Sequence, residues 1–303
     1  MRIVSLLPSA TEIVCALGAA ADLVGISHEC DHPPDIRDRT VLTRSRIHDG
    51  SSAAIDAAVR DVIANALSIY AVDDAALARL APDVIITQDL CAVCAVSLDD
   101  VRAAVARLAH RADLRVVALS PTRLADVLDD LHRVGDAISR RAAATAARAA
   151  LDTRIAAISR RAAASSARPR VVTLEWIDPL MIGGTWMPEL VELAHGLPVG
   201  AVAGAPAPTI TSATLTALAP DVVLLKPCGF SLPGTLSELP TISRTVLSAV
   251  SPTTRVYATD GNAYFNRPGP RLVDSLEILA ACLHPDLFAD FATHHAASIH
   301  RLA

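Results

Sequence analysis

Three short apolar runs occur twice in this chain, in the same order, and that repeat constrains the fold more than any other feature. Arg2-Ile3-Val4-Ser5-Leu6 matches Arg170-Val171-Val172-Thr173-Leu174. Leu80-Ala81-Pro82-Asp83-Val84-Ile85-Ile86 matches Leu218-Ala219-Pro220-Asp221-Val222-Val223-Leu224. Arg115-Val116-Val117-Ala118-Leu119 matches Arg255-Val256-Tyr257-Ala258-Thr259. Each run is short, apolar and rich in β-branched residues, which is how strands buried on both faces of a mainly parallel sheet read. Helical stretches separate them. Alternating strand and helix, met twice, predicts two Rossmann-like α/β lobes with crossover connections.

Local signals set the helix ends. Ser9-Ala10-Thr11-Glu12 has the form of a capping box, with a helix expected to run to about Leu17 and to stop at Gly18. In the second half, Pro188-Glu189 reads as a first helical turn that leads through Leu193 and closes at Gly196. Between the halves, from Leu124 to about Ala164, the chain has no proline and one glycine, and Ala and Arg dominate. Val127, Leu131, Val134 and Ile138, then Leu151, Ile155 and Ile158, recur at helical spacing. One helix of roughly 57 Å is the expectation, with two helices meeting near Ala143-Ala144-Thr145 as the alternative. The expected organisation is an N-terminal lobe over 1–123, a linking helix over 124–164 and a C-terminal lobe over 165–303.

Composition removes several function classes. The 303 residues carry a net charge of −5, and no run of Lys or Arg forms a basic face with interleaved aromatics, which argues against a nucleic-acid partner. No stretch of about 18 uncharged apolar residues occurs, so no membrane span is expected. Pro8 and Glu12 break the apolar start, and no export signal is evident, so the cytoplasm is the expected compartment and the periplasm the alternative. In a reducing compartment the six cysteines are expected as thiols. Cys15 and Cys282 fall inside helical stretches and read as small core residues.

Ligands of open parallel sheets sit beyond the carboxyl ends of the strands. In a two-lobed protein those ends are expected to share a cleft. Ser5 and Pro8 follow the first strand, His28 and Cys30 the second, and Cys91 and Cys94 the run ending at Thr87. Glu175 and Trp176 follow the Arg170 run, and Cys228 follows Leu225 and Lys226. Asp260, Asn262, Tyr264, Phe265 and Arg267 lie on a loop after Thr259 that is rich in turn formers. Trp176 and Trp186 are candidates to stack on a flat ligand or to seal a lobe. Glu175 is a candidate to fix a polar edge, and Arg267 to hold a carboxylate or phosphate. His28, Cys30, Cys91, Cys94 and Cys228 form a candidate thiolate-rich site for zinc or another thiophilic metal, with plain burial as the alternative.

The opening Met1-Arg2-Ile3-Val4-Ser5-Leu6-Leu7-Pro8-Ser9-Ala10-Thr11-Glu12 resembles the start of the mature domain in vitamin B12 and iron-siderophore binding proteins. Ser27 to Pro33, Gln88 to Cys94, Glu175-Trp176, Gly184-Thr185-Trp186, Pro227 to Phe230 and Asp260 to Pro270 resemble a branch described as cobalamin-binding or ABC-transporter substrate-binding proteins that lack an export signal. The resemblance covers nearly the whole chain. It implies two α/β lobes joined by one backbone helix, in the manner of class III periplasmic binding proteins, and cobalamin or a related corrinoid as a non-covalently bound small-molecule ligand. An ABC transporter is the implied partner. The motifs special to this branch differ from those of the well-known B12 binders, which leaves the ligand open. The other reading is a cytosolic metal-thiolate sensor, carrier or metalloenzyme on the same fold. No nucleophile elbow, phosphate loop or carboxylate pair calls for catalysis, so a binding protein is expected rather than an enzyme.

Overall fold

The computed structural model describes residues 1–47, 50–64, 70–88 and 114–303. The chain divides into two compact units. The first holds Met1–Gly50, Ala57–Pro121 and Ala125–Ala150; the second holds Ser51–Asp56, Thr122–Leu124 and Leu151–Ala303.

In the first unit, strands β1 (Ile3–Ser5), β2 (Leu23–Ile26), β3 (Thr40–Val41), β6 (Val84–Gln88) and β7 (Arg115–Leu119) form a parallel sheet in the order β3-β2-β1-β6-β7. A separate antiparallel pair joins β4 (Thr43–Ser45) to β5 (Tyr70–Val72). Helix α1 (Pro8–Ala16) follows β1, α2 (Ser52–Ala64) starts in residues counted with the second unit, and α3 (Asp74–Leu80) precedes β6. Val4, Leu6, Leu42, Leu77 and Ile85 pack as one core cluster. Each such side chain, fully buried, contributes about 1.5–3 kcal/mol.

The expected capping box at Ser9 is not formed. Leu7 is the N-cap without a side-chain bond, Pro8 opens the helix, and Ser9 and Glu12 are buried within it. The proline sets the start because its fixed φ suits the first helical position and its missing N–H has no partner to lose. Gly18 closes the segment at φ 71, as expected.

The expected single linking helix is two helices. Helix α4 covers Leu124–Ala137 and α5 covers Arg141–Ala162. Ser139 takes the left-handed conformation at φ 59, and the pair folds back into an antiparallel hairpin. Asp129 meets Arg148 at 2.6 Å and Asp136 meets Arg141 at 2.6 Å. Gly135 packs so closely that a Cβ there would lie 2.6 Å from the Cβ of Ala144. The long helix is therefore α5 alone, about 33 Å at the standard rise, and the division between units falls within it, after Ala150.

In the second unit, the parallel strands β8 (Arg170–Ile177), β12 (Val222–Leu225) and β13 (Arg255–Thr259) form the sheet centre. The strand order is β11-β9-β8-β12-β13-β14, where β9 (Leu180–Ile182), β11 (Thr209–Ile210) and β14 (Ile299–Arg301) are antiparallel additions, and β10 (Leu197–Pro198) pairs with the start of β8. Helices α6 (Met187–Leu193), α7 (Ser212–Leu218), α8 (Leu232–Ser237), α9 (Leu239–Thr245), α10 (Leu272–Leu283) and α11 (Ala289–His294) complete it. Helix α6 closes on His195 at φ 57 rather than on Gly196, which is needed because a Cβ there would press on Val191 and Val171.

The repeat has a physical basis. Asp83 Oδ2 accepts the Arg2 backbone N–H at 2.8 Å, and Asp221 Oδ2 accepts the Arg170 backbone N–H at 2.7 Å. The Arg2 side chain donates to the Leu80 carbonyl and the Arg170 side chain to the Leu218 carbonyl. Ala81 and Ala219 close α3 and α7 in the left-handed conformation, at φ 43 and φ 44. The Leu-Ala-Pro-Asp motif thus ends a helix, turns the chain and locks the next strand beside its neighbour, once per unit. Among the described residues no helix is long and apolar enough to cross a membrane.

Candidate functional site

The carboxyl ends of β8, β12 and β13 carry the second unit's polar network. Lys226 directly follows the buried strand β12 and is 1 % exposed. Its Nζ donates to Glu175 Oε2 at 3.0 Å and to Asn266 Oδ1 at 2.8 Å. Glu175 Oε2 also accepts the Gly184 backbone N–H at 3.3 Å. Asn266 Nδ2 donates to the Lys226 and Gly261 carbonyls at 2.9 and 2.8 Å. Three strand ends are thereby tied together through one ammonium group. Two glycines make room for it: a Cβ on Gly183 would lie 2.9 Å from Lys226 Cε, and one on Gly261 would overlap the Lys226 and Pro227 carbonyls.

Glu175 sits where the β8–β9 register shifts between Leu174 and Trp176. A bulge of this kind re-aims the side chain it carries. The carboxylate is 26 % exposed, and Oε1 accepts no hydrogen bond from the described residues. Next to it Trp176 is half-buried, edge-on to Phe230 with ring centroids 5.5 Å apart, and its Nε1 donates to the Ser52 carbonyl at 3.2 Å. The half-buried Cys228 is anchored by its backbone N–H on the Glu175 carbonyl at 3.0 Å. Glu175, Trp176, Phe230 and Cys228 are therefore one local group.

Several expected ligand contacts are not open. Trp186 is 5 % exposed, and its Nε1 donates to the Phe265 carbonyl at 2.9 Å, so it is a core residue of the second unit. Phe265 is fully buried at φ 65, with its N–H on Ser275 Oγ. Arg267 is 7 % exposed and donates to Asn262 Oδ1, so it does not offer a fork to a ligand anion. Asp260 Oδ1 caps its own turn by accepting the Ala263 N–H at 2.7 Å, and the Asn262 N–H rests on the Phe230 carbonyl. Tyr264 stacks edge-on against His295 and lies under the Arg271 guanidinium. Within the loop from Asp260 to Pro270, Phe265 and Arg267 are thus buried, whereas Asp260, Asn262 and Tyr264 stay half-exposed.

In the first unit Ser5 is fully buried, donating to the Leu7 carbonyl and accepting from Thr11 Oγ1, while Pro8 is half-buried at the start of α1. Neither carries an open polar group. Thr11 Oγ1 also lies 3.1 Å from Cys30 Sγ, which places that thiol in the core. His28 Nδ1 is 2.7 Å from Thr43 Oγ1 and its ring packs on Tyr70. Its Nε2 lies 3.3 Å from Glu29 Oε1, off hydrogen-bond geometry, and is shielded from solvent. Cys30 and His28 do not offer an open ligand pair for a metal. Cys91 and Cys94 lie outside the described residues. Among the described residues no group of three or more His, Cys, Asp or Glu side chains could hold a metal ion. Burial pushes the thiol of the core residue Cys282 up to about 12, while Cys15 is only half-buried and its thiol is raised to about 11 by burial with nearby Asp35 and Glu12.

Lys226 and Asn266 are functional candidates that residue-type reasoning passed over. The signal for Lys226 was in the composition: it is the chain's one lysine, and every other basic side chain among the 27 is arginine.

The match to known proteins covers most of the chain. A model of the periplasmic binding protein family matches residues 3–244. No curated protein sequence matches. Among solved structures, the chain is similar to a periplasmic heme-binding protein from Pseudomonas aeruginosa, at 20% identity and TM-score 0.67 with 94% of this chain and 92% of that one covered. It is similar to the periplasmic vitamin B12 binding protein BtuF of Vibrio cholerae, at 19% identity and TM-score 0.60 with 93% and 96% covered. It is similar to S. aureus IsdE complexed with heme, at 15% identity and TM-score 0.69 with 93% and 98% covered. These likenesses establish the fold. With a family model that spans well over half the residues, the chain belongs to the periplasmic binding protein family.

Proposed function

We propose that this protein binds a corrinoid of the cobalamin type, reversibly and without covalent chemistry, on the strand-end surface of the second unit, and that it serves an ABC-type transporter. The observation that carries the reading is the group formed by Glu175, Trp176 and Phe230. A half-buried aromatic pair lies beside a carboxylate held by a buried lysine, which gives a ligand an apolar face and a fixed polar contact together. Family membership supports small-molecule binding, and the similar structures include binders of heme and of vitamin B12. The sequence likeness of Glu175-Trp176 and of Asp260 to Pro270 to cobalamin-binding proteins favours the corrinoid.

The test is a titration of the purified protein with cyanocobalamin, followed by calorimetry and by the corrin absorption bands. Saturable heat with one equivalent and a shifted spectrum are expected. Absence of both with several corrinoids, alongside tight binding of haemin, would overturn the proposal.

A further inference from the structure

We infer that the Lys226-clamped carboxylate of Glu175 is a selectivity device, whose outer oxygen takes hydrogen bonds from uncharged amide donors at the ligand's periphery and turns away ligands that end in carboxylates. This rests on the reading of the second unit's strand-end surface as the ligand site.

A carboxylate is an acceptor only. In Glu175 one oxygen is already occupied by Lys226 Nζ and the Gly184 N–H. The other takes no donor from the described residues, on a side chain that is partly exposed. The geometry at Oε1 is fixed because Oε2 is fixed, Lys226 is itself pinned by Asn266, and Gly183 leaves the space the ammonium occupies. Such preorganisation spares a ligand the entropy of ordering its contact.

Charge decides what that contact is. Glu175 and Lys226 cancel each other, so the pair asks for no counter-ion. The cations on the neighbouring loop are committed, with Arg267 on Asn262 and Arg271 over the Tyr264 ring. A ligand carboxylate placed at Oε1 would meet a second anionic oxygen with no donor between them, and like-charge contacts of this kind are strongly unfavourable. An amide N–H placed there makes a charge-assisted hydrogen bond. The periphery of a cobalamin-type corrinoid ends in primary amides, whereas a haem ends in two propionate carboxylates. The clamp therefore distinguishes two macrocycles of similar size and flatness by their edges. Lys226 is a positioning residue in this scheme, since it acts through Glu175 and does not touch the ligand.

The experiment compares wild-type protein with Glu175→Gln by calorimetric titration against cyanocobalamin, against each of its separated monocarboxylic acids (one side-chain amide hydrolysed) and against haemin. For wild type, at least one monoacid isomer is expected to bind about tenfold or more weaker than the parent, the size of one charge-assisted hydrogen bond lost. In Glu175→Gln that isomer's penalty is expected to shrink to within about twofold, because a neutral amide can also donate to a carboxylate. Circular dichroism of both proteins checks that the fold is retained. If cyanocobalamin binds but every monoacid matches it, or if the penalty persists in Glu175→Gln, the inference fails and the ligand reading stands. If no corrinoid binds, both fail.

Discussion

Replacing Asp130 by Asn is expected to stabilise this protein at pH 8 far more than at pH 4.5. Asp130 lies on α4 and is 1 % exposed. Oδ1 accepts from Arg133 at 3.2 Å, but Oδ2 is buried without a hydrogen-bond partner. Burial is the main cause that pushes the carboxyl up from its ordinary 3.8 to about 7, against the pull of Arg133. The folded state thus binds the proton more tightly than the unfolded chain. Between those two values the unfolded chain is ionised while the folded one holds its proton, so stability falls as pH rises, and the full penalty is present above about pH 7. A gap of that size gives a penalty of about 1 kcal/mol at pH 4.5 and about 4 kcal/mol at pH 8. Asparagine imitates the neutral acid, so Asp130→Asn recovers the penalty. Urea unfolding of both proteins at the two pH values measures it, with a difference of about 3 kcal/mol expected between the two stabilisations. If Asp130 were instead ionised and paired with Arg133 at pH 8, the same substitution would remove a buried ion pair and destabilise. A loss of stability at pH 8, or an equal effect at both values, refutes the reasoning.

Gly183→Ala would set a Cβ 2.7 Å from Thr173 Oγ1 and 2.9 Å from Lys226 Cε. It is expected to cost about 1–3 kcal/mol of stability by overpacking and to weaken corrinoid binding by displacing the lysine; unchanged affinity in calorimetry would count against the clamp. Trp186→Phe removes the N–H that the Phe265 carbonyl accepts and should cost about 1 kcal/mol in thermal unfolding while leaving corrinoid affinity unchanged, since this indole belongs to the core. Asp221→Ala strips the Arg170 backbone N–H of its acceptor, and Asp83→Ala does the same to Arg2. Each is expected to destabilise by about 0.5–1.5 kcal/mol, and a neutral result at both would mean that the repeated motif does not lock its strands. The single lysine allows a direct check of burial: an amine-reactive ester should label the native protein at the N-terminus and spare Lys226 until unfolding, as read by intact mass.

The strands were legible in the sequence because burial on both faces leaves few choices other than Ile, Val and Leu, and because Asp83 and Asp221 perform one job in two places. The break between α4 and α5 was legible only as an alternative to one long helix, and the structure puts it after Ala137 rather than at Ala143-Ala144-Thr145. Its turn carries neither glycine nor proline to mark a stop. What bends the chain is the fit of Gly135 against Ala144 and the Asp129–Arg148 pair, contacts that exist only after the fold-back. The candidate site was legible in place but only partly in its members. Choosing residues by chemical character favoured Trp186, Phe265 and Arg267, which are buried with polar atoms bonded inside the second unit. Glu175 and Trp176, placed at a strand end by the sequence, are half-exposed where the β8–β9 register shifts. Lys226 was masked by its position behind an apolar strand, where a charge reads as the start of a loop. Yet a chain that uses arginine for every other cation has a reason to place lysine there. Two acceptors, Glu175 Oε2 and Asn266 Oδ1, meet Nζ behind a glycine, and a guanidinium would bring five donors and a broad plane into the same space. An ammonium leaves one of its three donors beyond those two acceptors where a guanidinium would leave three, so the corner beside Gly183 fits lysine better than arginine.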